Sequence, residues 1–343
     1  YWRRAGVKKP RFLSLQGAYH GDTLGAVSLG HIDLFHQAYG GLLFESEKVM
    51  APYCYRCPFN RAQPERADAR TYRKCHWECT QQVEDKFVAA NRAGTRITAL
   101  VAEPLMQGAA GMIPQPAGWL SQVAEITRAH NAHLICDEVM TAFGRTVLPR
   151  EGGGWLLGSA GEGVTPDLAA LAKGLTGGYL PMAATLTTQA IFNAFLGEYE
   201  EFKTFFHGHS YTGNQLGAAA AGASLDLLET NESAAARTRM ASDLARELEA
   251  LWQLPNVGDI RQVGLVAGIE LVKDWRTRAP FEARERVGMR VSEEMARQGV
   301  LTRPIGNVIV LMPPFCAKRR EIQKIAQVLF NAVKKIGSDP ARK

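Results

Sequence analysis

At 343 residues the chain is longer than one compact core usually holds, so two domains are expected, over residues 1–230 and 231–343. Hydrophobic residues at 46% and charged residues at 22% exclude a disordered or low-complexity chain, and no apolar run approaches the length that spans a bilayer. Lys and Arg outnumber Asp and Glu by 40 to 34, but the basic residues fall in short clusters such as Lys8-Lys9 and Lys318-Arg319-Arg320. No aromatic residues interleave with them, which argues against nucleic acid and for a solvated surface.

The chain opens at Tyr1 without a leader-like pattern and passes almost at once into an extended run, Arg11 to Leu15. This reads as a beginning inside a fold, with a natural N-terminus expected upstream. Gly17-Ala18-Tyr19-His20-Gly21-Asp22-Thr23 follows that strand and precedes a small-residue run. A strand, a glycine-bearing turn and a helix start form the corner at which α/β folds place ligand groups, so Tyr19 and His20 are candidates; a capped helix start is the plainer alternative.

Two cysteine pairs come next, Cys54 with Cys57 and Cys75 with Cys79, separated by 17 residues. The spacing resembles a four-cysteine zinc site, but the second pair is spaced by three residues and neither pair carries a glycine knuckle. Packing cysteines are the preferred reading, and no metal is assigned to the site chemistry. Six cysteines without a secreted framework point to a reducing, cytoplasmic setting.

A helical pattern from Cys79 leads to a buried strand, Ile97 to Ala102, that ends at Glu103. A helix over about 118–130 leads to a strand, Ala132 to Cys136, that ends at Asp137-Glu138. A third apolar run, Leu168 to Ala172, ends at Lys173 and glycines. Apolar strands alternating with helices predict a parallel sheet covered on both faces, an α/β fold. Its carboxyl edge, where ligands bind, would then gather Glu103, Asp137 and Lys173. A lysine buried there would have its pKa lowered and become a nucleophile; the plain alternatives are a lysine reaching into solvent or a structural Asp137–Lys173 ion pair. Cys136, in mid-run with no adjacent base, reads as packing.

Further on, a helix from residue 213 to about Glu229 and another over 233–251 precede a smaller α+β unit. Its strands are expected over 258–262, 265–273, 300–303 and 307–311, and its helices over 283–298 and 318–336.

Three segments together carry a resemblance: Asp137-Glu138-Val139, Phe143-Gly144-Arg145-Thr146 and Ala172-Lys173-Gly174-Leu175-Thr176-Gly177-Gly178. With them the chain resembles the class III pyridoxal-phosphate aminotransferases of fold type I over nearly its whole length. The resemblance implies that Lys173 holds pyridoxal 5′-phosphate covalently and moves the proton during transfer, and that Asp137 faces the cofactor's ring nitrogen. It implies that Tyr19 stacks on the ring, with His20 beside it and Val139 supporting the other face. It implies that Gly208 and Ser210 reach the cofactor phosphate of a second subunit in a homodimer, and that Arg303 takes a substrate carboxylate.

Tyr19-His20-Gly21-Asp22-Thr23, Glu103 to Gly108, His207 to Asn214, and Arg303 to Gly306 with Leu311 to Phe315 narrow the match. They are similar to a biotin-pathway branch that aminates the ketone of an amino-oxo acid. S-adenosylmethionine is the expected donor, with lysine or another ω-amine as alternatives. An inactive scaffold carrying a zinc-binding insert is the reading from another class. Three departures stand out: the family's phosphate loop lies upstream of Tyr1, Phe315 replaces a common tyrosine, and Ser210 replaces a common threonine. An Arg145–Asp22 ion pair is expected near the pocket.

Overall fold

The apolar runs pair laterally into a six-stranded sheet in the computed structural model, which describes residues 1–7, 11–30, 32–146 and 156–337. Lys8, Lys9 and the last six residues of the expected C-terminal unit lie outside the described residues. In chain order the strands are β1 (Arg11–Leu15), β2 (Glu47–Val49), β3 (Ile97–Ala102), β4 (His133–Asp137), β5 (Leu168–Leu171) and β6 (Ala184–Thr187). Their spatial order is β2-β1-β3-β4-β5-β6, parallel throughout except for the antiparallel edge pair β5–β6. The mostly parallel α/β sheet expected from the sequence is therefore present; β2 and β6, only three and four residues long, had given no apolar run to read.

Every residue of β3 is buried, as a parallel strand covered on both faces requires. Helices α1 (Glu78–Arg92) and α2 (Trp119–Ala129) cover one face, burying Val83, Phe87, Trp119, Leu120 and Val123 against Leu13, Leu15, Leu100 and Leu134. At about 1.5–3 kcal/mol for each fully buried large apolar side chain, this cluster is what fixes the strand ends that carry the site. After β1 the chain pairs first on one side, with β2, and then on the other, with β3. That reversal opens a crevice at the ends of β1 and β3, where ligands of open α/β sheets bind.

Helices α3 (Gln215–Glu229) and α4 (Asn231–Leu248) lead to a second, five-stranded sheet made of antiparallel pairs. Its core includes Leu244, Leu248, Val257, Ile269, Met295, Ile309 and Leu329, with helices α5 (Val287–Arg297) and α6 (Arg319–Gly337) packed against it. One expectation fails here. Residues 300–303 form no strand; the pairing begins at Pro304–Ile305, opposite Ile309 and Val308. The Thr302 hydroxyl takes the Val310 carbonyl instead, and Leu301 faces solvent.

Candidate active site

Four ionisable side chains stand along the carboxyl edge in the order of the strands that deliver them. His20 follows β1, Glu103 follows β3, Asp137 closes β4 and Lys173 follows β5. His20 reaches past the end of β3: its Nδ1 lies 2.8 Å from Asp137 Oδ2, and both side chains are nearly excluded from solvent. An ionised carboxylate only accepts, so Nδ1–H is the donor. The other Asp137 oxygen accepts the Val139 amide at 3.0 Å. Each Asp137 oxygen therefore has a hydrogen-bond partner. The ion pair at Asp137 is thus made with His20, where the sequence had offered Lys173 as the structural partner.

Glu103 is buried, with Oε2 accepting the Gly108 amide at 3.0 Å and Oε1 without a partner among the described residues. Burial, opposed by His20 and by the Gly108 hydrogen bond, pushes its carboxyl up to about 7. Gly108 is held closely: a Cβ there would meet Met140 Sδ at 2.6 Å and Glu103 Oε2 at 3.4 Å. Next along the chain, Glu138 is completely buried and fully satisfied by Thr141 Oγ1, Gly158 N and Ser159 N at 2.7–2.8 Å. It locks the residues after β4 to a distant segment, a structural use of a carboxylate beside a chemical one.

Lys173 opens a short 3-10 turn, Lys173–Thr176, with φ of +46°, a left-handed conformation that side-chain-bearing residues rarely adopt. The Gly174 that follows is closely packed: a Cβ there would lie 3.0 Å from Phe143 Cβ and Cδ2. Strain and close packing together aim the lysine off the sheet edge. The expected burial is corrected: Lys173 is exposed in this chain, because the turn carries it beyond the last strand residue rather than into the core.

Tyr19 is half-buried, its ring parallel to His36 at 6.3 Å and edge-on to Phe35. Burial, aided by Asp22, raises its hydroxyl pKa. That places Asp22 beside Tyr19, and the expected Arg145–Asp22 pair does not form. Arg145 instead donates to the Pro313 carbonyl at 2.7 Å and lies 4.2 Å from the Phe315 ring, and desolvation lowers its pKa to about 10. The aromatic face satisfies a cation that the expected carboxylate does not reach.

Val139 is half-buried beside Asp137, while Gly208, Ser210 and Arg303 are exposed. The structure therefore brings together Tyr19, His20, Asp137 and Val139, with Lys173 at the same edge, and leaves Gly208 and Ser210 on a surface. Among the described residues no group of three or more metal-binding side chains is placed to hold a metal ion. Cys54 and Cys79 are buried, where desolvation pushes their thiols up to about 12 and about 11.

Sequence reasoning missed Arg261. Fully buried in an apolar strand, it donates to Met112 O at 2.7 Å and Gly111 O at 2.6 Å and pairs with Glu270 at 2.7 Å. It ties the second sheet to the loop beyond Gly108. Its only trace in the sequence is a charge inside a strand pattern. Glu103 and His20 were visible as residues, but the contacts that give them meaning were not.

A parallel sheet whose edge presents a strained lysine, a histidine-paired aspartate and an unsatisfied carboxyl defines a small-molecule enzyme of the α/β class. Comparison with known proteins makes this particular. The aminotransferase class-III family model matches residues 1–333. The adenosylmethionine-8-amino-7-oxononanoate aminotransferase of Geobacter sulfurreducens is 46% identical over 334 residues, covering 97% of this chain and 70% of that protein. That of Nitratidesulfovibrio vulgaris is 45% identical, with 95% of this chain and 57% of the relative covered. The solved structure of the Methanocaldococcus jannaschii aminotransferase of the same name is 36% identical with a TM-score of 0.84, covering 98% of this chain and 70% of that one. An amine transaminase from an uncultivated Pseudomonas species, solved in its PLP-bound form, is 35% identical with a TM-score of 0.85 over 98% and 72% of the two chains. The chain belongs to the class III aminotransferase family, whose enzymes use pyridoxal phosphate.

The donor set suits that cofactor. Asp137 offers a desolvated carboxyl hydrogen-bonded to His20, Lys173 offers an accessible amine, and the buried His20 Nε2 and Glu103 Oε1 lack hydrogen-bond partners among the described residues.

Proposed function

We propose that this chain binds pyridoxal 5′-phosphate at the edge formed by Lys173, Asp137, Tyr19 and His20, and moves an amino group from S-adenosylmethionine onto the ketone of 8-amino-7-oxononanoate. The product would be 7,8-diaminononanoate, a biotin precursor. The observation that carries this reading is the His20–Asp137 pair set beside Lys173 on one sheet edge, in a chain 46% identical to a protein of that name. Bound pyridoxal phosphate supplies an electron-withdrawing ring that stabilises negative charge on a substrate carbon.

The protein's own groups do the rest. Asp137 would face the ring nitrogen of the bound cofactor, and His20, 2.8 Å away, orients that carboxylate. Lys173 Nζ would anchor the cofactor and, when free, would take up and return a proton of the substrate. Tyr19 and Val139 would flank the cofactor and exclude water. Arg303, exposed and without a hydrogen bond or ion pair among the described residues, offers a planar fork to the substrate carboxylate.

Gly208 and Ser210 lie on a surface rich in exposed aromatic and aliphatic side chains, including Tyr179, Phe206, Tyr211 and Leu216. That supports a homodimer in which they reach the second subunit's cofactor phosphate. Two separate sheets with separate cores support the division near residue 230. Six unpaired cysteines suit the cytoplasm. No helix among the described residues is long and apolar enough to cross a membrane.

Turnover of 8-amino-7-oxononanoate by the full-length enzyme, with adenosylmethionine and with lysine supplied separately, tests the reading. Product from adenosylmethionine supports it, and no product from either donor overturns it. The amine transaminase neighbour favours a simple amine as the second reading, which a panel of amine donors separates.

A further inference from the structure

Of the four ionisable side chains set along the edge, Glu103 is the one that the proposed chemistry does not use. Its strand pairs in parallel with β4, and Ala102 stands opposite Cys136. The next residues along, Glu103 and Asp137, are therefore neighbours on adjacent strand ends, about 4.8 Å apart in backbone spacing. The two carboxyls are served unequally. Asp137 has an imidazole and a backbone amide, whereas Glu103 has one amide and an oxygen, Oε1, with no partner among the described residues. Three titratable groups act on Glu103: His20 beyond β1 and Asp137 at the end of β4, on the two flanking strands, and Lys173 beyond β5, one strand further. The two carboxyls lie side by side on adjacent strand ends, and a proton on the less satisfied one, Glu103, relieves their mutual repulsion.

We infer that Glu103 is a positioning residue that exchanges one proton with solvent and, by gaining or losing it, sets how much negative charge the neighbouring Asp137 presents to the cofactor ring. Protonated, it leaves Asp137 without a second charged carboxylate on the neighbouring strand end. Ionised, it adds a second negative charge beside Asp137 and strengthens the hold on a ring-nitrogen proton. The inference rests on the placement of Asp137 against the cofactor ring proposed above. Burial also pushes this carboxyl up to about 7, in keeping with a proton held there.

Infrared spectroscopy of the full-length enzyme, with and without pyridoxal phosphate, tests this between about pH 5 and 9, in wild type and in Glu103→Gln. The glutamine keeps the shape and can still accept the Gly108 amide. Wild type should show the carbonyl stretch of a protonated carboxyl that falls about tenfold between pH 6 and 8, with its midpoint near 7. Glu103→Gln should lose that band while keeping the one from Asp259, a buried carboxyl pushed up to about 6. The cofactor's visible absorbance should show a matching transition in wild type and none in the variant. A wild type lacking the band, or a cofactor transition that survives unchanged in Glu103→Gln, overturns the inference and leaves the cofactor reading intact. A variant that only loses thermal stability, with its pH transition in place, overturns it equally. Absence of cofactor absorbance in wild type, or its retention in Lys173→Ala, overturns the cofactor reading itself.

Discussion

The carboxyl edge of the parallel sheet and the surface from Tyr179 to Leu216 contribute the two halves of the proposed site, and the chain finishes them to different degrees. At the edge, Asp137, Glu138 and Glu103 are buried and held by hydrogen bonds of 2.7–3.0 Å from His20, Val139, Thr141, Gly158, Ser159 and Gly108. On the surface, Tyr179 is 88% exposed, Tyr211 76% and Leu216 72%, with Gly208 and Ser210 exposed among them. Both segments are similarly rich in chemistry-bearing residues. What differs is the environment: one is desolvated by the chain's own core, whereas the other keeps large apolar side chains in water, which a monomer rarely does over a contiguous patch. In the proposed function, the groups whose charge would be tuned sit in the finished half, and the groups that would only touch a phosphate sit in the half that a second copy would complete.

The sharpest way to break this comparison is at Asp137. Asp137→Asn keeps the shape and the Val139 contact but removes the charge opposite His20. Turnover is expected to fall by about 10²–10³-fold with little change in thermal stability. A loss of under tenfold would mean that the edge is not tuned electrostatically.

A second effect follows from Glu103. Its folded carboxyl lies near 7 against an ordinary value of 4.5, so the native state binds more protons than the unfolded chain between those values. Stability from this residue therefore falls as pH rises through that window, by about 3 kcal/mol in all. Glu103→Gln should gain on wild type by about that amount between pH 4 and pH 8 in denaturant titrations. An equal pH dependence for the two proteins would remove Glu103 from the account.

On the exposed half, the double variant Tyr211→Lys with Leu216→Lys should weaken self-association by about 30-fold or more, read by sedimentation velocity. Cofactor affinity should fall with it. A wild-type protein that sediments as a monomer would contradict the division between finished and unfinished halves. The smallest expected effect is at Arg303: Arg303→Lys keeps the charge but not the fork, so KM for the oxo acid should rise about tenfold with kcat nearly unchanged.

How much of this was legible in the sequence follows the same division. The strands ending at Glu103, Asp137 and Lys173 were readable because each is an apolar run cut short by a charge, and a parallel sheet brings such ends together. The His20–Asp137 contact joins residues 117 apart and has no local signature. Arg145 was assigned the wrong partner because spacing cannot distinguish an aromatic face from a carboxylate; the Phe315 ring that meets it comes from the second half of the chain. The exposure of Lys173 was missed because an apolar run predicts burial to its end, whereas a left-handed turn begins one residue earlier than the glycines suggest. Residues 300–303 were read as a strand from composition, and Thr302 took a carbonyl that the ladder would have used.

The central claim is that Lys173, set on its strained turn beside the His20–Asp137 pair, is the residue that holds the cofactor. Borohydride reduction of the full-length protein loaded with pyridoxal phosphate, followed by proteolysis and mass spectrometry, tests it most directly. The added mass is expected on the peptide containing Lys173 and on no other lysine. Its appearance on a different lysine, or its absence from a protein that still catalyses amino transfer, would contradict the account.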